Sequence, residues 1–195
     1  MIQQNDNWKD TQRTEIEATG LQPSDDRESV IVTTLVPGNY TALLTGKGGT
    51  TGVGTVEVYD GNIAADSQLA NLSTRGFVQT GNNVMIAGFT LGNGSAPTDV
   101  AIRGIGPSLS SAGLNGVLAD PTLELRDSNG ALLIANDDWQ SDPVSAGKLT
   151  AHGLGLSNTK ESGIYTTLPP GQFTAIIAGK SGGTGIGLIE IYRVQ

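Results

Sequence analysis

Six oxygen-bearing side chains near the N-terminus could hold a hard cation: Asn5, Asp6 and Asn7, then Asp25, Asp26 and Glu28. Calcium takes six to eight oxygens from carboxylates, amides and carbonyls, so two acidic loops meeting at one end of a β-structure could cage it. A poorer set follows in the second half of the chain, where Asn136, Asp137, Asp138 and Glu161 recur but Asn158 and Thr159 replace the carboxylates of Asp25 and Asp26. The same Asn and Asp residues could instead close Asx-turns. Paired acids such as Asp137 and Glu161 are also the side chains of glycoside hydrolysis, yet nothing in their spacing requires it. His152 is the single histidine and stands where the first half has Thr19, which reads as a loop residue rather than a general base. We expect no enzymatic activity.

These loops belong to a repeat. Residues 18–60 are written again 133 positions later as residues 151–193. Glu28-Ser29 returns as Glu161-Ser162, and Pro37-Gly38-Asn39-Tyr40-Thr41-Ala42 returns as Pro170-Gly171-Gln172-Phe173-Thr174-Ala175. Gly46-Lys47-Gly48-Gly49 matches Gly179-Lys180-Ser181-Gly182, and upstream Asn5-Asp6-Asn7-Trp8 answers Asn136-Asp137-Asp138-Trp139, with a small insertion around Asp142-Pro143. Repetition of this length marks a structural unit. The first copy opens mid-repeat: the hairpin of residues 121–135 has no counterpart ahead of Asn5 beyond Met1-Ile2-Gln3-Gln4.

The 195 residues include 28 glycines and no cysteine, and the net charge is −8. That balance excludes a disulfide scaffold, a thiolate metal site and a basic nucleic-acid surface. No run approaches the ~18 apolar residues of a membrane span. Gly, Thr, Val and Asn dominate over helix formers, which predicts an all-β protein of extracellular type with little or no helix.

Strand signals recur at short spacing between Gly, Pro and Asn turns. Tyr40, Ala42 and Leu44 alternate with Thr41, Leu43 and Thr45, as Phe173, Ala175 and Ile177 alternate with Thr174, Ile176 and Ala178. The closing strands 55–59 and 188–192 place Val56 and Val58, or Ile189 and Ile191, inward, with Glu57 and Glu190 facing out. Residues 77–78, 83–91 and 99–105 read as strands between the copies, and 108–115 as a loop with a short helical turn. Residues 122–126 and 131–135 form a hairpin around Asn129-Gly130. The Gly-rich runs 46–54 and 179–187 lead into strands, so they read as hairpin turns rather than helix-opening anion loops. Six of the nine aromatic residues pair across the repeat: Trp8 with Trp139, Tyr40 with Phe173, Tyr59 with Tyr192. That recurrence assigns them to structure.

Asp120-Pro121-Thr122-Leu123-Glu124-Leu125 through Asn136-Asp137-Asp138, followed by Leu168-Pro169-Pro170-Gly171-Gln172-Phe173-Thr174 and a Gly-rich close, resembles the bacterial pre-peptidase C-terminal domain. The likeness covers residues 120–194 and, without the hairpin, 5–60. It implies a jelly-roll-like accessory sandwich of secreted and surface proteins, sometimes binding calcium, collagen or carbohydrate, without catalysis. The expected organisation is a partial sandwich over residues 1–60, a β-rich connecting segment over 61–119 and a complete sandwich over 120–195. A missing hairpin forfeits roughly 1.5–3 kcal/mol for each of about four apolar side chains, so something must replace it. The strands of residues 77–105 could do so within the chain, a neighbouring copy could by strand addition, which if head to tail gives a filament, or the chain could be a piece of a longer array that supplies the hairpin. The reading is a secreted or cell-surface structural and adhesive module that self-associates with calcium-braced loops. The alternative is a module that binds an extracellular carbohydrate or protein polymer. No nucleic-acid partner and no membrane insertion are expected.

Overall fold

The computed structural model describes residues 1–61, 69–92 and 96–194. The chain divides into two compact units, Met1–Gln68 and Leu69–Gln195. Residues 62–68 and 93–95 of the expected connecting segment, 61–119, lie outside the described residues.

The second unit is a sandwich of two antiparallel four-stranded sheets. Its strands are β1 (Asn71–Val78), β2 (Met85–Leu91), β3 (Thr98–Ile105), β4 (Pro121–Asp127), β5 (Leu132–Asn136), β6 (Ser162–Leu168), β7 (Gly171–Gly179) and β8 (Gly185–Val194). One sheet has the order β1-β8-β3-β6 and the other β2-β7-β4-β5. The expected division at residue 120 is therefore corrected: three strands from the supposed connecting segment are integral to the sandwich. They pair with strands of the second copy, β1 and β3 with β8, β3 with β6 and β2 with β7, so they do not serve as a filler for the first. Fold class stands as all-β with little helix.

Alternation builds the core. Leu123 and Leu125 on β4, Phe173, Ala175 and Ile177 on β7, and Ile189 and Ile191 on β8 all point between the sheets, where they meet Val100, Ile102 and Ile164. The opposite face of the β3 sheet is also covered. Ala101 and Ile105 pack there with Trp139, Leu149 and Leu156, so β3 is apolar on both faces and reads as a continuous run rather than an alternating one. Glu190 faces this second layer, not open solvent as expected, and forms an ion pair with Arg103 at 2.7 Å.

The second layer rests on a helix, α2 (Pro143–Ala151), the counterpart of a shorter helix, α1 (Arg13–Thr19), in the first unit. Asp142 caps α2 by accepting from the Val144 and Ser145 amides, and Pro143 takes the first helical position, where its missing N–H costs nothing. The Asp-Pro pair that read as an insertion is thus a helix start. Ser145 Oγ in turn accepts the Tyr165 amide, and Asn136 Oδ1 accepts the Gly163 amide. Both amides lie on the free edge of β6, so the edge is protected against pairing.

The β4–β5 hairpin forms as expected, but only Gly130 has positive φ. Asp127 Oδ1 accepts from the Asn129 and Ala131 amides, and the register shifts between Leu125 and Arg126. This is a three-residue turn with a bulge rather than a two-residue one. The 179–187 run is a second correction. It connects β7 to β8 in different sheets, so it is an arch, not a hairpin. Gly179 is required there because a Cβ would run into the Gly183 carbonyl, and Ser181 and Gly182 carry positive φ.

The first unit has α1 and a 3-10 turn at Lys47–Gly49 but no strand among its described residues. Its buried apolar side chains are Trp8 and Ile16, the counterparts of Trp139 and Leu149. The strands expected at 40–45 and 55–59 do not form, for a reason visible in the second unit. There β6, β7 and β8 are never neighbours of one another; every ladder they make is with β1, β2, β3 or β4. A segment holding only their counterparts has no partner within itself.

Candidate functional site

In the second unit the acidic loop is held by its own backbone. Asn136 donates to the Asp138 carbonyl, Trp139 N–H donates to the Glu161 carbonyl at 2.7 Å, and Ser162 Oγ donates to the Asp137 carbonyl at 2.7 Å. With the main chain fixed, the Asp137 and Asp138 carboxylates converge with Asp120, at the start of β4, so that one oxygen from each lies within 4.8 Å of the others. Asp120 has no counterpart in the first copy, and as the residue ahead of Pro121 and β4 it reads as the end of a loop. One oxygen of Asp120 and one of Asp137 are buried without a hydrogen-bond partner.

Two lysines answer this charge. Lys180 Nζ is 2.5 Å from Asp137, and Lys160 Nζ is 3.5 Å from Asp120. The hydrogen bond that Lys180 donates to Asp137 holds its ammonium above the usual lysine range; desolvation opposes it, and the charges of Asp137, Asp120 and Asp138 add to it. Three convergent carboxylates, two of them with an orphan oxygen, could supply part of the oxygen shell of a hard cation.

Glu161 is not part of this cluster, which corrects the expected ligand set. It is buried, and its carboxylate accepts from the Gly106 and Ser108 amides at 3.3 and 2.9 Å and from Ser108 Oγ at 2.9 Å. Ser108 Oγ also meets Ser157 Oγ at 2.7 Å. Glu161 thus fastens the turn that follows β3 (Pro107–Ala112) to the base of β6. With both oxygens so engaged, it is not set opposite Asp137 as a hydrolytic pair.

The first unit reproduces the loop bonds. Asn5 donates to the Asn7 carbonyl, Trp8 N–H donates to the Glu28 carbonyl at 2.7 Å, Ser29 Oγ donates to the Asp6 carbonyl, and the Val30 amide donates to Asn5 Oδ1. Asn5 is therefore spent on the backbone, the Asx role that stood beside the calcium reading. Asp6, Asn7, Asp25 and Glu28 line one recess of about 520 Å³ together with Arg27 and Lys47. Asp26 turns instead to Lys9, at 2.5 Å. Lys47 pairs with Asp6, and Arg27 lies 2.7 Å from Asp25, holding the Asp25 carboxyl well below the usual range. Glu28 is exposed.

His152 is exposed and stacks on Tyr165, with ring centroids 5.4 Å apart and Nε2 3.2 Å from the phenol oxygen. The phenol donates to Asp99 at 3.0 Å. Among the described residues no Ser, Thr or Lys side chain hydrogen-bonds the imidazole. Of the repeated aromatics, Trp8 and Trp139 are both buried, whereas Tyr40 and Tyr59 are exposed. Among the described residues no helix is long and apolar enough to cross a membrane.

No protein-family model and no curated protein matches the chain. Among solved structures it is similar to the pre-peptidase C-terminal domain of a collagenase from Bacillus anthracis, at 10% identity and a TM-score of 0.39 over 62% of this chain and 88% of that one.

Proposed function

We propose that the chain is a non-catalytic structural module of an extracellular assembly, joined to its neighbours by β-strand complementation and braced by a cation at its acidic loop. The observation that carries this reading is how the acidic residues are used. Glu161 holds a turn, Asn136 and Asn5 hold backbone, and three carboxylates of the second unit, Asp120, Asp137 and Asp138, gather beside the sandwich. Such an arrangement ties the loops of the second unit together, with Glu161 committed to the turn after β3. Calcium at the cluster would use the orphan oxygens of Asp120 and Asp137. Strand exchange with further copies, and hence a filament, is the simplest form of complementation; the strand count of the two units favours a different donor, identified below.

The test is thermal unfolding of the natural chain and of Asp137→Ala in calcium and in chelator, run beside turnover and binding assays on polysaccharides and proteins. The expected result is a calcium-dependent rise in Tm that Asp137→Ala removes, with no turnover. Turnover, or saturable glycan binding, lost in Asp137→Ala would overturn the reading in favour of a hydrolase or a polymer-binding module.

A further inference from the structure

Position by position, the first copy carries the apolar pattern of β7 and β8 without their burial. Leu44 is 53% exposed where Ile177 is fully buried, Val56 is 52% exposed where Ile189 is fully buried, and Val58 is 50% exposed against 6% for Ile191. The side chains have not changed in kind. What differs is that Ile177, Ile189 and Ile191 lie on strands laddered to β1, β2, β3 and β4.

A second observation points to the same missing element. The residues lining the recess of the first unit, Asp6, Asn7, Asp25, Arg27, Glu28 and Lys47, stand at the positions of Asp137, Asp138, Asn158, Lys160, Glu161 and Lys180. In the second unit that set is met by the segment upstream of β5. Gly106 and Ser108 donate to Glu161, Ser108 also meets Ser157, Asp120 pairs with Lys160, and the Asp120 carbonyl accepts the Lys180 amide. The first copy keeps Glu28 for Glu161 and Ser24 for Ser157, both exposed. The recess is the seat of a turn like Gly106-Pro107-Ser108, and the exposed strand positions are the seats of strands like β1 to β4.

Resting on the complementation reading above, we propose that residues 1–61 are the receiving half of a second sandwich, whose partner is a polypeptide segment with the strand pattern of residues 69–131 other than the one this chain carries. The chain's own segment is filled by β6, β7 and β8. One segment of this pattern cannot serve two sets of strands at once, so a donor able to complete residues 1–61 is one not already filled by a β6-to-β8 set. Burial of Leu44, Val56 and Val58 and capture of the turn amides by Glu28 are what it gains.

The test joins a second copy of residues 69–131 directly ahead of Met1 in the otherwise intact chain, which also gives the segment a high effective concentration. Amide hydrogen exchange is then read at 40–45 and 55–59 against 173–178 and 188–192 in the same molecule. In the natural chain the first pair of segments should exchange at least about 100-fold faster than the second; in the extended chain the gap should close to within about 10-fold. Glu28→Gln should reopen the gap in the extended chain and leave the natural chain unchanged. Should the extended chain fail to accumulate, the natural chain refolded with a separate 69–131 polypeptide gives the same readout. Unchanged fast exchange at 40–45 and 55–59, with 173–178 protected, would overturn the proposal. So would protection of those segments in the natural chain alone, at any concentration, since copies would then complete one another; the structural reading survives that outcome and falls only to turnover or ligand binding.

Discussion

Lys180 Nζ lies 2.5 Å from Asp137 Oδ2, and Lys47 pairs with Asp6 at the corresponding place in the first copy. Each lysine opens a Gly-rich turn, and each aspartate sits in the loop after an Asn, so the pair pins a turn to a loop distant in sequence. Both side chains of the Lys180 pair are nearly half exposed, which limits the stabilisation from charge alone. The Asp137 carboxylate that Lys180 holds is also one of the three that converge at Asp120, Asp137 and Asp138.

Lys180→Met separates these roles. In chelator the variant should lose less than about 1 kcal/mol, the range of a partly exposed ion pair. In calcium its Tm should rise further than that of the natural chain, because the cation no longer competes with an ammonium for Asp137. Equal calcium responses in the two proteins would show that the cluster does not bind the ion.

Glu161 and Glu28 should respond oppositely to the same change. Glu161→Ala strands the Gly106 and Ser108 amides, and a buried donor left without its partner costs about 1–3 kcal/mol, so the variant should lose about 2–4 kcal/mol in urea unfolding. Glu28→Ala should stay within about 0.5 kcal/mol, as for an exposed residue. A large loss at Glu28 would mean that it already has partners like those of Glu161.

How much of this was legible beforehand follows from what each residue's signal depends on. Phe173, Ala175 and Ile177 were readable as an inward face because alternation is local, and Asn129-Gly130 marked its turn for the same reason. The α2 helix was hidden because residues 143–151 carry few apolar side chains, although Asp142-Pro143 spelled its cap. The sheet order was not legible: β6, β7 and β8 are consecutive in sequence yet meet only strands from far upstream, so no local pattern reports that they fail to pair with each other. Asp120 meets Asp137 and Asp138 across the β4–β5 hairpin, in which Leu123 pairs with Asn136, so its place follows from a local element, whereas the partners of Glu161, Gly106 and Ser108, lie more than fifty residues away and leave no local signal.

Acid sensitivity should be traceable to Asp99. Donation from Thr167 and then Tyr165 holds its carboxyl below the usual range. A depressed folded value contributes stability above the ordinary aspartate value of about 3.9, and that contribution disappears as pH falls through the lower, folded value. The Tyr165 phenol is raised by burial first and by Asp99 second, so its contribution is present below its ordinary value and disappears as pH rises through the folded one. Tyr165→Phe should cost about 0.5–1.5 kcal/mol at neutral pH and make the loss below pH 4 shallower. Urea midpoints across pH 2 to 7 for both proteins check this, and parallel curves would place the acid sensitivity elsewhere.

Ile177 and Leu44 give the sharpest contrast, since the repeat puts both at one position. Ile177 is fully buried between the sheets, and its truncation to alanine should cost about 2–5 kcal/mol through lost transfer energy and the cavity left behind. Leu44 is more than half exposed, and Leu44→Ala in the natural chain should fall within about 0.5 kcal/mol. The difference is caused by neighbours rather than by residue type, so it should vanish in a molecule whose first unit has been completed by a 69–131 segment: there Leu44→Ala should approach the cost of Ile177→Ala. Urea unfolding of the two variants in both backgrounds measures this directly. A Leu44 that stays insensitive in the extended chain would mean that the added strands do not pack against it, whatever protection its backbone acquires.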